Sequence, residues 1–228
     1  MKDNGYVALL DHDTLKMRHP TNSSKIITLY RIIATKSFDL PKFGKHVERY
    51  DVGGFVESLD NLDINSPVWI DNNARIFDQA KILNGSLIRN MALVYENCTV
   101  TNSVVSNNCR IHGSCIIDDS IIKDLVEVKD TANVTSTMLS KSSKIYKNAK
   151  IINSRFSIGA SAHGDCQVFN SEINDISEIR GTAVIRNCKY YGRVIRESGE
   201  YLNETLDKEL NLTTYEEVDE STHKEYNI

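Results

Sequence analysis

The sequence is poor in proline, in aromatic residues and in long apolar runs. Only 3 of its 228 residues are proline, and Phe, Trp and Tyr together make up 7% of the chain. The core must therefore be built mainly from aliphatic side chains. No window approaches the roughly 18 apolar residues of a membrane-spanning helix, and residues 1–11 do not resemble a secretion signal. We expect a cytoplasmic protein that does not enter a membrane.

Cysteine is also scarce and is not arranged for metal binding or disulfides. The chain has 5 cysteines, an odd number, and none of them forms a CxxC pair. A disulfide framework and a zinc site are both disfavoured by this pattern. We expect no metal and no cofactor.

Charge is distributed unevenly along the chain. Residues 197–228 contain ten acidic and two basic residues, a net charge of −8, which leaves 21 acidic and 25 basic residues, or +4, for residues 1–196. The acidic end is typical of a solvated terminal segment. A charge of +4 over the rest of the chain is too weak to indicate direct nucleic-acid binding.

A 17-residue repeat dominates the middle of the sequence. A small, a variable and an apolar residue follow one another seven times, beginning at Ser86, Ser103, Ser120, Thr137, Ser154, Ser171 and Cys188. Each unit divides into steps of 6, 6 and 5 residues, and in all 19 pairs of this kind the second position is apolar. Because residues two apart in a strand point to the same side, each step predicts a short strand with both residues facing inward.

The repeat therefore predicts an all-β fold, a single-stranded parallel β-helix of about seven triangular coils over residues 61–195. Residues 1–60, with a strand at 25–36, are expected to form an N-terminal cap, since the end of a β-helix exposes unpaired strand edges. Residues 196–228 are expected to cover the other end, with a short helix at 204–210. All five cysteines occupy the small inward position, where a free thiol packs as a small apolar group.

Three segments carry a resemblance to a known family. Ile76-Phe77-Asp78-Gln79-Ala80-Lys81 has the spacing of a hexapeptide repeat, and Leu29-Tyr30-Arg31-Ile32 and Gly53-Gly54-Phe55-Val56-Glu57 precede it. The sequence resembles the hexapeptide-repeat left-handed β-helix superfamily and, more closely, a prophage- and bacterium-encoded subfamily often labelled putative transferases. The resemblance implies a left-handed helix whose flat faces pair with other subunits. Fold alone does not imply a function.

The resemblance also directs attention to histidine, because hexapeptide acyltransferases use a histidine as general base. His112 and His163 are the only histidines within the repeat, 51 residues or three coils apart. They share a column that we expect to face solvent near a corner, so both are weak catalytic candidates. Three coils correspond to ~14 Å, too far for one metal ion to bind both rings.

The outward position of the first strand in each coil gives a sharper prediction. Successive coils place an apolar ladder there, consisting of Trp69, Leu87, Val104, Ile121 and Met138. An apolar stripe of this length is rarely left in water, so it is covered either by the cap or tail or by another subunit or partner. We expect an interface, and hence a homo-oligomer that also binds a protein partner.

The favoured function is therefore a non-catalytic scaffold that self-associates and binds a protein. Its specific form, suggested by the prophage resemblance, is a phage-encoded inhibitor of a host defence complex. The alternatives are an acyltransferase-like enzyme and a structural protein that polymerises by end-to-end stacking.

Overall fold

The computed structural model describes residues 4–207, and apart from two single-turn 3-10 helices these residues form only β-strands and turns. The N-terminal part contains strands β1 to β5 and the 3-10 helices Pro41–Phe43 and Leu59–Asn61. The strands are β1 Val7–Arg18, β2 Ile26–Ala34, β3 Phe38–Leu40, β4 Lys45–Val47 and β5 Val52–Val56. No helix in residues 4–207 is long and apolar enough to cross a membrane.

Strands β6 to β30 wind into a parallel β-helix with three flat faces. The first face, of nine strands, contains β6 Trp69–Ile70, β9 Leu87–Ile88, β12 Val104–Val105, β15 Ile121–Ile122, β18 Met138–Leu139, β21 Arg155–Phe156, β24 Glu172–Asn174, β27 Lys189–Tyr191 and β30 Thr205–Leu206.

The other two faces follow in the same order along the axis. The second face contains β7 Arg75–Ile76, β10 Leu93–Val94, β13 Arg110–Ile111, β16 Glu127–Val128, β19 Lys144–Lys147, β22 Ser161–Gly164, β25 Glu178–Gly181 and β28 Val194–Ile195. The third contains β8 Lys81–Leu83, β11 Thr99–Thr101, β14 Ile116–Asp118, β17 Asn133–Thr135, β20 Lys150–Ile152, β23 Gln167–Phe169, β26 Val184–Arg186 and β29 Glu200–Leu202.

The register of the strands confirms the 17-residue repeat. Val104 pairs with Leu87 on one side and Ile121 on the other, so equivalent residues of successive coils lie side by side. All 19 predicted inward apolar side chains are fully buried. The core is therefore one continuous column that passes through every coil.

The buried hydroxyls of the first face are also satisfied. Ser120 Oγ donates to the carbonyl of Asp118 at 2.7 Å and accepts the amide of Thr137 at 3.1 Å. The same pair of bonds recurs at Ser103, Ser154 and Ser171. A buried hydroxyl without partners would cost about 1–3 kcal/mol, so this ladder explains why Ser and Thr are tolerated at an inward position.

The corners between faces rely on residues with positive φ. At the third corner, which joins the third face to the first, Asn153, Asn170 and Asn187 have φ of 48°, 50° and 55°. Their side-chain amides hydrogen-bond in a row, with Asn153 Nδ2 donating to Asn170 Oδ1 at 2.8 Å and Asn170 Nδ2 to Asn187 Oδ1 at 3.3 Å. Asparagine tolerates this conformation better than most residues, which accounts for its recurrence.

The cap extends the second face instead of closing the helix as a separate lid. Strand β1 pairs with β2 and β2 with β5, both antiparallel, and β5 pairs in parallel with β7 of the first coil. The predicted strand at 25–36 is confirmed as β2. Gly53 and Gly54 lie within β5, where an added Cβ would approach the carbonyl oxygens of Ile70 and Ala74 to 2.5 and 2.6 Å. Close packing against the first coil, rather than a turn, requires these glycines.

Two predictions about the C-terminal part are wrong. The helix has about nine turns rather than seven, because β29 and β30 add to the third and first faces beyond residue 195. The short helix expected at 204–210 is not formed in its described part, where Thr205–Leu206 is a strand. Tyr201 pairs with Ile185 and Leu206 with Tyr190, in each case after 16 residues instead of 17. Because the period changes here, the 17-residue pattern did not predict the last coil. Residues 208–210 lie outside the described residues.

Candidate functional site

The predicted apolar ladder of the first face divides into a covered and an exposed part. Trp69 and Leu87 are each only 1% exposed. The ring of Phe38, from β3, meets the ring of Trp69 edge-on at 6.1 Å between centroids. Both side chains are therefore buried within the chain, Trp69 against the cap, so the predicted interface stays a prediction that depends on the exposed members of the ladder.

The remaining three members of the ladder are more exposed, although Lys42 of the cap reaches the carbonyl of Asn102 and the carboxylate of Asp119 at the neighbouring corner. Val104 and Met138 are half-buried, and Ile121 is 37% exposed. Their coils pair directly, so the three side chains form a short apolar strip on the first face. This strip is smaller than the sequence indicated and leaves the prediction of an interface to be tested.

A second apolar feature follows the corner that joins the first face to the second. Four large apolar side chains are exposed along it, and we call them the first-corner ridge: Met91, Leu125, Ile158 and Ile176. Ile158 is 47% and Ile176 71% exposed. The amide of Ile176 donates to the carbonyl of Ile158 at 2.8 Å, so these two residues are direct neighbours in adjacent coils.

The backbone of the ridge is in a conformation that its residues disfavour. Met91, Leu125, Ile158 and Ile176 have φ of 62°, 64°, 53° and 60°. The left-handed region costs an ordinary residue roughly 1–2 kcal/mol, and a β-branched residue there is a clear outlier. Asn108 occupies the position equivalent to Met91, Leu125 and Ile176 with φ of 60°, and Asn107 that equivalent to Ile158 with φ of 58°. The corner itself therefore does not need an apolar side chain.

The two histidines occupy equivalent places on the edge of the second face. His163 stacks on Tyr146 with ring centroids 4.5 Å apart, and its Nε2 lies 2.8 Å from Glu178 Oε1. His112 stacks on Tyr95 at 4.9 Å, and its Nε2 lies 3.4 Å from Glu127 Oε1. The expectation of solvent-facing rings is wrong, since the side chains are only 13% and 14% exposed. The same tyrosine, histidine and glutamate thus recur three coils apart.

The local electrostatics differ between these two sites. The hydrogen bond from His163 lowers the pKa of Glu178. Burial raises the pKa of Tyr146, and at the capped site it raises the pKa of Tyr95 to about 12. His19 from the cap packs edge-on against Tyr95 at 5.6 Å. The cap therefore packs on Tyr95, one coil before His112, and His112 itself is about as exposed, at 14%, as His163 at 13%.

Carboxylates at the second corner, between the second and third faces, hold the cap to the first coils. Glu57 Oε2 accepts the amide of Asp78 at 2.6 Å, and Asp78 Oδ2 accepts that of Glu96 at 3.2 Å. Burial alone would raise the pKa of Asp78, but hydrogen bonds from Lys25 and His19 lower it. The sequence pattern did not reveal this ladder. The spacing of 18 residues between Asp78 and Glu96 equals that between Ile70 and Ile88, because the first coil is one residue longer than the others.

The cysteines behave as the repeat predicts. All five are buried and free. Burial raises the pKa of Cys109 to about 12 and of Cys166 to about 11, so neither is a thiolate nucleophile at neutral pH. Across residues 4–207, no group of three or more His, Cys, Asp or Glu side chains is placed to hold a metal ion.

Comparison with known proteins supports the fold. Residues 72–177 match the family model described as GlmU-like, C-terminal hexapeptide. The match covers 106 of the 228 residues, and the parallel β-helix agrees with a hexapeptide-repeat fold. The hexapeptide-repeat match spans coils on all three faces and includes both histidines and all four residues of the first-corner ridge. No curated protein matches the chain.

Proposed function

We propose that this hexapeptide-repeat protein is a non-catalytic scaffold that binds a protein partner and self-associates. The observation that carries the proposal is the pair of isoleucines at positions 158 and 176, exposed in a left-handed backbone conformation. Strain of this kind persists where it serves a function. The fold gains nothing from it, because Asn or Gly fills the same corner in other coils.

The strip on the first face extends this surface. Ile121 and Leu125 lie in the same coil, one on the face and the other at its corner, and both are exposed. A partner that packs on the first face would therefore contact the ridge as well. Exposed apolar side chains grouped in this way are typical of protein interaction sites.

The duplicated histidine site favours a scaffold over an enzyme. The trio around His163 is repeated around His112, and the two histidine side chains are almost equally exposed. A trio that recurs three coils apart is explained as a stacking device of the repeat, with each ring packed on the coil below. Neither ring needs a substrate to account for its surroundings.

An acyltransferase-like activity is the second candidate, and one contact favours it. His163 Nε2 lies 2.8 Å from Glu178 Oε1, the arrangement in which a carboxylate orients a general base. Acetyl-CoA that raised the melting temperature of the parent but not of His163→Ala would support this candidate. If acetyl-CoA shifted the melting temperature of neither the parent nor His163→Ala, the acyltransferase candidate would be removed.

The scaffold proposal is tested by quantitative affinity purification with the full chain as bait. The double variant Ile158→Asn/Ile176→Asn should lose the partner, because it removes the apolar contacts and relieves the strain. The variant Ile116→Asn changes a side chain on the third face that is 48% exposed, close to the 47% of Ile158, and should retain the partner. Equal recovery of the partner with both baits would overturn the proposal. A partner from a host defence complex would support the phage-inhibitor form, which rests on the prophage resemblance alone.

A further inference from the structure

We propose that an open groove on the second face binds an acidic peptide segment, and that its occupant is residues 208–228 of this chain. The groove has a volume of about 490 Å³. Three cations line it, Arg75, Arg110 and Lys144, and the ridge residues Met91 and Leu125 form its apolar side. It therefore offers alternating positive and apolar contacts along the axis of the helix.

The cations of the groove lack partners within the described part of the chain. Arg75 Nε is buried and has no hydrogen-bond acceptor. Arg110 and Lys144 are exposed, and neither forms an ion pair within residues 4–207. Glu127 is the one acidic residue that lines the groove, and its carboxylate is directed to His112 at 3.4 Å. Three cations and one carboxylate give the lining a net charge of +2, so the groove favours an anionic ligand.

The C-terminal sequence has the complementary chemistry. Residues 208–228 contain six acidic and two basic residues, a net charge of −4. Four of the acidic residues fall within Glu216-Glu217-Val218-Asp219-Glu220, after the apolar residues Leu210, Leu212 and Tyr215. Carboxylates and apolar side chains in close succession match the cations and apolar residues that line the groove.

The segment can reach the groove from the end of the described chain. Strand β30 lies in the ninth coil of the first face, and Lys144 lies in the fifth coil of the second face. Four coils correspond to about 19 Å along the axis, whereas nine extended residues from Asp207 to Glu216 span up to about 30 Å. Leu206 precedes the corner that leads from the first face to the second, so the chain leaves on the side where the groove lies.

Carbodiimide cross-linking of the full-length protein tests this inference. The reagent joins a carboxylate to a lysine amine only when the two are in contact. We expect cross-links from residues 216–220 to Lys144 at a level several-fold above those to Lys150, an equally exposed lysine on the third face. Mixing 14N- and 15N-labelled chains separates links within a chain from links between chains. Salt at 0.5 M should reduce the yield, because it screens the contact.

Two variants complete the test. Arg75→Glu/Arg110→Glu should lower the Lys144 cross-link several-fold, while Lys150→Glu leaves it unchanged. Glu216→Lys/Glu217→Lys should lower the links that the remaining carboxylates Asp219 and Glu220 form with Lys144, and it changes no residue of the described β-helix, so it decides the matter if the groove variant fails to fold. Equal yields at Lys144 and Lys150, or links formed only between different chains, would overturn the proposal. Met91 and Leu125 belong to both surfaces, whereas Ile158 and Ile176 do not line the groove. The variant Ile158→Asn/Ile176→Asn therefore tests the scaffold function without changing the groove, and the two proposals can fail separately.

Discussion

Replacement of Ile176 by asparagine should stabilise the protein. Ile176 is 71% exposed and has φ of 60°, so its side chain contributes little burial while its backbone is strained. Relief of the left-handed strain is worth about 1 kcal/mol. For a chain of this size that corresponds to a rise in melting temperature of about 2–4 °C. Thermal unfolding followed by circular dichroism measures the shift.

The matched control for this change is Ile116→Asn. Ile116 is 48% exposed, but it lies in strand β14 with extended backbone, where isoleucine is favoured over asparagine. Its replacement should lower the melting temperature. A decrease of similar size in Ile176→Asn would refute the reasoning, because it would show that the corner isoleucine stabilises the fold and needs no functional explanation.

Three further predictions concern the core, the first face and the cap. Ile122→Lys places a charge in the dry interior and should abolish the cooperative melt, and an unchanged melt would contradict the β-helix core. Ile121→Asp should convert an oligomer to a monomer in light scattering, and an unchanged mass with normal folding would remove the first face as an interface. The lowered pKa of Asp78 stabilises the fold above the unfolded pKa of about 3.9, and this stability is lost as pH falls through the folded pKa. Urea unfolding below pH 4 should therefore show a weaker pH dependence in Asp78→Asn, and an equal slope in parent and variant would contradict this role.

Much of the β-helix could be predicted from the sequence because its geometry is periodic. A residue such as Ile122 repeats the environment of Val105 and Leu139, so one coil predicts the next. The prediction failed where the period changed. The step from Tyr190 to Leu206 is one residue short, and the last coil was missed for that reason.

The proposed interaction surface was harder to predict because it depends on packing between distant segments. Trp69 carries the same pattern as Ile121, yet Phe38 of the cap covers only Trp69. The first-corner ridge could have been predicted from the residue types at the corner. Ile158 and Ile176 stand in columns otherwise occupied largely by Asn, Asp, Ser and Gly, and a β-branched residue at such a corner is unusual enough to be noticed.

The most direct test of the account is the molar mass of the full-length protein by light scattering over a range of concentrations. The parent should self-associate, and the double variant Ile158→Asn/Ile176→Asn should remain monomeric at every concentration while melting at a higher temperature. A parent that stays monomeric throughout, or a double variant that associates as the parent does, would contradict the claim that the strained ridge is an interaction surface.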